Sequence, residues 1–361
     1  MNPRALVPLG ALLVAGALHG CVSVAPHARP ESLPLFDAHT HLNANMTAGI
    51  LIDWMNLAGV RKMVLMPRHY TDDGFATDEQ AAEYAEKYPG RFVAFVGGQR
   101  NELWTQWAWT IEHPFLVEAE AKLRTGRYSG LGEFILHHYG YNRLVPTTHQ
   151  HVSGDLEVPA DSPLMLKIAD LAARYDVPVV IHAEAEPRTV EQVRRLLAGS
   201  PRTKIVWAHN CGRGPAEHAA AFLKAYPNLM CDLGQMAVPL TTPYGYGTGW
   251  PAGRSMHISI VQYRDGRISS AMRELFEAFP DRFVIGTDTA HPFQYSRYPD
   301  IVEAFRLLLS QLTPETARKI GYENAERLFR PRHARAAASG WSGTTDAPAD
   351  ALGACGTTAA C

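Results

Sequence analysis

Eight short apolar, β-branched runs recur along the chain, each followed by a stretch with helical periodicity. They are Leu35 to His39, Arg61 to Met66, Arg91 to Val96, Gly130 to Glu133, Val177 to His182, Lys204 to His209, Asn228 to Asp232 and Arg282 to Asp288. Between them lie amphipathic segments such as MTAGILIDWMNLAG, TDEQAAEYAEKY, DSPLMLKIADLAARY, TVEQVRRLLAG, AEHAAAFLKAY and SAMRELFEAF. Several end in Tyr-Pro, Phe-Pro or Asp-Val-Pro, where a helix has to stop. Crossover helices bring successive strands into parallel neighbours, so the alternation predicts an α/β fold, a closed (β/α)8 TIM barrel. The rival is a doubly wound open sheet, but no glycine-rich dinucleotide fingerprint follows the first run. The two longest gaps predict loops on one rim, Asn142 to Pro159 and Pro239 to Arg267, where substrate access is usually shaped.

The ends of the chain read differently. Arg4 and the apolar residues 5–18, too short for a comfortable bilayer span, predict a signal peptide over residues 1–20. It closes on Leu18-His19-Gly20-Cys21, which resembles a bacterial lipoprotein signal with Cys21 as the lipidated residue. The alternative is ordinary cleavage nearby. Residues 21–33 then form a tether, 34–330 the barrel, and 331–361 a low-complexity tail without a packed core. The expected location is the bacterial cell envelope, lipid-anchored on the periplasmic or outer face, or secreted if Cys21 is not lipidated.

Charge and cysteine content narrow the partners. Lys and Arg number 34 against 36 Asp and Glu, with no basic run to track phosphates, so nucleic acid is not an expected partner. The five cysteines show no CxxC spacing, which rules out a cysteine-built zinc module. Cys355 and Cys361 fall in the tail. Cys211 and Cys231 are equally open to a disulfide or to two buried thiols.

Any metal must therefore be held by His, Asp or Glu. His39 and His41 stand two apart in FDAHTHL, a spacing that turns both rings to one side of a strand. Glu133, His182, His209 and Asp288 each end a run, and a parallel barrel gathers its strand ends at one mouth. Any one of them alone is an ordinary buried polar residue. Six ionisable groups at one end of five apolar strands need a cation to pair them. Zinc is the favoured ion, though other divalent metals suit the same ligands. His137, His138, and His149 with His151 are less compelling, the last two being expected in a loop. His291 is expected to face substrate, and Trp104, Trp107, Trp109 and Phe115 to pack in the core. Arg254, in YGYGTGWPAGR, is either solvated or a grip for a substrate carboxylate.

The ordered set resembles the amidohydrolase superfamily, in its amidohydrolase-related branch, over about Leu33 to Pro331. It includes His39-Thr40-His41, His182, His209, Gly286-Thr287-Asp288, YPNLMCDLG and the closing IGYENAERLF. The resemblance implies His39, His41, His182 and Asp288 as ligands of a mononuclear centre, with His209 a ligand or a polarising acid. Glu133 matches a position that bridges two ions in binuclear relatives such as the TatD-like hydrolases, so one or two ions remain open. A bound divalent ion brings the pKa of water to about 7, and Asp288 would take its proton. The expected activity is metal-dependent hydrolysis of a small-molecule ester, lactone, amide or phosphoester. The alternatives are a decarboxylase of the same family, with Arg254 or Arg68 as carboxylate clamp, and a non-catalytic binding lipoprotein.

Overall fold

The computed structural model describes residues 33–69, 76–103, 113–138, 156–237, 261–263 and 265–330. Each of the eight runs is a strand: β1 Leu35–Asp37, β2 Val60–His69, β3 Phe92–Ala94, β4 Leu131–His138, β5 Val179–Ala183, β6 Ile205–Trp207, β7 Leu229–Asp232 and β8 Phe283–Val284. Parallel ladders join β1 to β2 to β3, and β4 through β8 in order. The Val96 N–H donates to Gly130 O at 3.0 Å, linking β3 to β4. The Ala38 N–H donates to Ile285 O at 3.0 Å, closing β8 on β1. The result is the expected eight-stranded barrel.

A main helix follows each strand: α1 Ala48–Ala58, α2 Asp78–Lys87, α3 Pro114–Arg124, α4 Pro163–Arg174, α5 Pro187–Gly199, α6 Ala216–Ala225, α7 Ser270–Ala278 and α8 Tyr298–Leu309. Hydroxyl caps start several of them, with Thr47, Thr77, Ser162 and Ser269 accepting from the third residue onward. No helix among the described residues is long and apolar enough to cross a membrane.

Strand alternation sorts the core into two shells. Leu35, Met63, Leu65, Phe92, Ile181, Trp207, Leu229 and Phe283 face the helices. Their neighbours Phe36, Val64, Val93, Val180, Val206, Met230 and Val284 form a second cluster inside the barrel. Ala325 and Leu328 of a C-terminal helix, Asn324–Leu328, and Phe329 just after it complete that inner cluster, with Phe329 5.5 Å from the Phe95 ring. Just before β4, Gly130 leaves room for Phe95: a Cβ at Gly130 would stand 2.1 Å from Phe95 Cζ.

One expectation shifts, and one open choice is settled. The strand expected to end at Glu133 runs on to His138, so Glu133 projects from within β4 and His137 and His138 are strand residues. Trp104, Trp107 and Trp109 lie outside the described residues, and Phe115, in α3, packs in the core against Phe134 as expected. Cys211 and Cys231 form a disulfide between the turn after β6 and β7. The proposed signal, Cys21, the tether, most of both rim loops, His149, His151, Arg254 and the tail also lie outside the described residues.

Candidate metal centre

On β5 and β7 the inner face carries the apolar core at its base and a polar side chain one step higher. Val180 gives way to His182 on β5, and Met230 to Asp232 on β7. His39 follows β1, and His41 starts a two-residue strand, His41–Leu42, paired with the far end of β2. Asp288 lies four residues past β8, its N–H donating to His39 O at 2.7 Å.

All six predicted residues meet. His39 and His41 present Nε2 atoms 3.3 Å apart, at 3.6 and 3.4 Å from Glu133 Oε2. Asp288 Oδ1 stands 3.0 Å from His41 Nε2 and 3.5 Å from His39 Nε2. The other carboxylate oxygen, Glu133 Oε1, lies 3.3 Å from His182 Nδ1 and 3.5 Å from His209 Nε2, and those two nitrogens are 2.8 Å apart. Glu133 thus joins two donor trios, His39–His41–Glu133 and Glu133–His182–His209. The ligand set implied by the family resemblance put His182 with the strand-1 histidines; the geometry pairs it with His209.

Acceptors behind the rings decide which nitrogens can donate. His39 Nδ1 is 2.9 Å from Asp232 Oδ2, His209 Nδ1 is 2.9 Å from Gly234 O, and His182 Nε2 is 3.0 Å from Glu184 Oε1. A carboxylate or carbonyl only accepts, so each of these nitrogens carries its proton and the opposite lone pair points into the site. His182 Nδ1 and His209 Nε2 then aim lone pairs at each other across 2.8 Å, a repulsion that a cation resolves. Charge points the same way. Glu133, Asp232, Glu184 and Asp288 are interconnected by these contacts, and Arg213 pairs with Glu184. Burial raises the Glu133 pKa, but the surrounding histidines outweigh it and hold the carboxyl well below its usual range. Such a buried, net-negative donor set fits divalent cations.

Asp232, Glu184 and Gln99, whose Nε2 donates to Glu133 Oε2 at 2.8 Å, were not singled out from sequence. The strand-end pattern that exposed His182 and His209 applies equally to Asp232 in LMCD, and the two-residue spacing applies to Glu184 in HAE. Of the less compelling residues, His138 stacks on His182 with ring centroids 4.9 Å apart, and His137 Nδ1 contacts the Thr189 hydroxyl at 3.1 Å. His291 is buried, with Nε2 3.3 Å from Arg68 Nη1.

A parallel eightfold barrel with histidines and carboxylates gathered at its strand ends belongs to the class of (β/α)8 barrels built around a metal site. The chain belongs to the amidohydrolase family, whose sequence model matches residues 37–330. No curated protein sequence matches it significantly. Among solved structures, it is similar to an uncharacterised TIM-barrel protein of Bordetella bronchiseptica, at TM-score 0.52 and 16% identity, covering 82% of this chain and 98% of the other. It is also similar to a probable 2-pyrone-4,6-dicarboxylic acid hydrolase of Acinetobacter baumannii with citric acid bound, at TM-score 0.50 and 14% identity over the same shares. At these identities the likeness speaks for the fold.

Proposed function

We propose that the chain is a metal-dependent hydrolase of a small-molecule ester, lactone, amide or phosphoester, with two divalent ions, zinc first among them, sharing Glu133. The observation that carries this reading is the pair of donor trios joined through the two oxygens of one buried carboxylate. His39, His41 and Asp288 would hold one ion with Glu133, and His182 and His209 the other. A divalent cation, when bound, supplies positive charge that acidifies water and polarises a carbonyl or phosphoryl oxygen. Asp288 is the proton acceptor. Burial raises its pKa, but His39, His41 and His209 outweigh that and keep the carboxyl far below its usual range, so it is an anion at neutral pH. At 14% side-chain exposure it is also the most open carboxylate of the group, able to take a proton from attacking water and return it to the leaving group. His209, its Nδ1 committed to Gly234 O, acts as a donor to the cation rather than as an acid.

Export to an oxidising compartment is part of the proposal, with Cys21 as lipid anchor at the cell envelope. The Cys211–Cys231 disulfide inside the barrel supports it, because such bonds persist outside the reducing cytosol.

The test strips the protein with a chelator, reloads zinc or manganese, and screens esters, lactones, amides and phosphodiesters. Hydrolysis lost on stripping and restored on reloading is the expected result. Release of carbon dioxide from aromatic carboxylates without hydrolysis would replace the hydrolase with a decarboxylase. Neither activity in a fully loaded protein would leave a binding protein.

A further inference from the structure

His182 is the one histidine of the cluster that must present Nδ1, the ring nitrogen nearer the backbone, to the site, and what fixes it lies behind β5. His182 Nε2 faces Glu184 Oε1 at 3.0 Å, and that same oxygen is paired with Arg213 Nη1. All three side chains are buried, Glu184 completely.

Arg213 reaches this position by an unusual backbone. His209, Asn210, Cys211, Gly212 and Arg213 have φ of 57, 53, 56, 80 and 62°, a full left-handed turn directly after β6. L residues avoid that region, so the turn persists only where contacts over-determine it. Cys211 is tied to Cys231 on β7, the Ala185 N–H donates to Gly212 O at 2.9 Å, and His209 is held at both its N–H and its ring. A Cβ at Gly212 would stand 2.5 Å from Ala183 O, so the turn lies directly on the end of β5. It carries the candidate ligand His209 at its start and delivers the guanidinium to Glu184 at its end.

We propose that Arg213, acting through Glu184, is a positioning residue that fixes the His182 ring with Nδ1 toward Glu133 and so builds the second donor trio. The inference rests on the two-trio reading above. An ionised Glu184 can only accept, which assigns the Nε2 proton and leaves the lone pair on Nδ1. Arg213 pairs with the same Glu184 oxygen and holds it against Nε2; without the arginine the carboxylate loses the partner that orients it, and the ring can turn.

The test is a cobalt(II) titration of the stripped full-length protein, followed by absorbance and calorimetry, with thermal melts alongside. The variants are Glu184→Gln/Arg213→Met, which removes both charges without orphaning either, and Arg213→Lys, which keeps the charge. Wild type should bind two equivalents. The double variant should keep the first at wild-type affinity and weaken the second roughly ten- to a hundredfold with little change in melting, and Arg213→Lys should restore much of it. Two equivalents at wild-type affinity in the double variant would overturn the positioning role while leaving the two-ion reading intact. Loss of both equivalents together would show a structural role only. Fewer than two equivalents in wild type would overturn the two-ion reading and this inference with it. Should the double variant not fold, Glu184→Gln alone decides between the same outcomes.

Discussion

Asp288 and His39 stand 3.5 Å apart, yet they are assigned different work. Asp288→Asn keeps the shape and one oxygen but removes the base. Activity on a hydrolysed substrate should fall roughly a hundredfold or more while most of the metal is retained. His39→Ala removes a strand-1 donor and should lose both metal and activity. Turnover with metal analysis on the two variants checks the contrast, and an Asp288→Asn protein as fast as wild type would deny the base. The six donors were legible because each sits at or just beyond an apolar run, where a barrel has no reason to place a buried charge except to use it. Asp232 and Glu184 were less visible because they act one contact further back, and nothing in a sequence separates a carboxylate facing an ion from one facing a histidine.

At the scale of elements, two features fix the strands around the site. Just before β4, Gly130 faces Phe95 so closely that Gly130→Ala should destabilise the barrel by about 1–3 kcal/mol, and Phe95→Leu should recover part of it. Denaturation midpoints of the single and double variants measure this. Outside the barrel wall, Asp78 at the start of α2 accepts from His69 Nε2 at 2.8 Å, the Gly97 N–H at 2.8 Å, Arg100 Nη2 at 2.6 Å and Lys122 Nζ at 2.7 Å. Burial raises its pKa, but these partners prevail and bring it down to about 2. A depressed carboxyl stabilises the fold above its unfolded value of 3.8 and loses that contribution as pH falls toward 2. Melting temperatures taken between pH 6 and pH 2 should therefore fall, with a share on the order of 2 kcal/mol from Asp78. Asp78→Asn should start less stable and show a shallower decline. The elements themselves were readable from periodicity, but their ends were not: β4 runs past Glu133 because His137 and His138 pair with Leu156 and Glu157, a contact no local pattern announces.

The whole molecule was the most legible level. Eight runs at crossover spacing leave few topologies, and a barrel turns residues nearly 250 apart, such as Asp37 and Thr287, into neighbours hydrogen-bonded at 2.9 and 2.8 Å. The left-handed turn and the disulfide behind the site were not foreseeable, since both depend on how β5, β6 and β7 lie side by side. For the proposed export, a full-length Cys21→Ala protein should leave the membrane fraction that wild type occupies, and equal fractions would count against the anchor. The central claim is that one carboxylate, Glu133, joins two metal sites at the barrel mouth. Elemental analysis of the protein purified from zinc-supplemented growth and freed of loose ions tests it most directly. The account predicts about two divalent ions per chain, one for each trio; about one ion or fewer would contradict it.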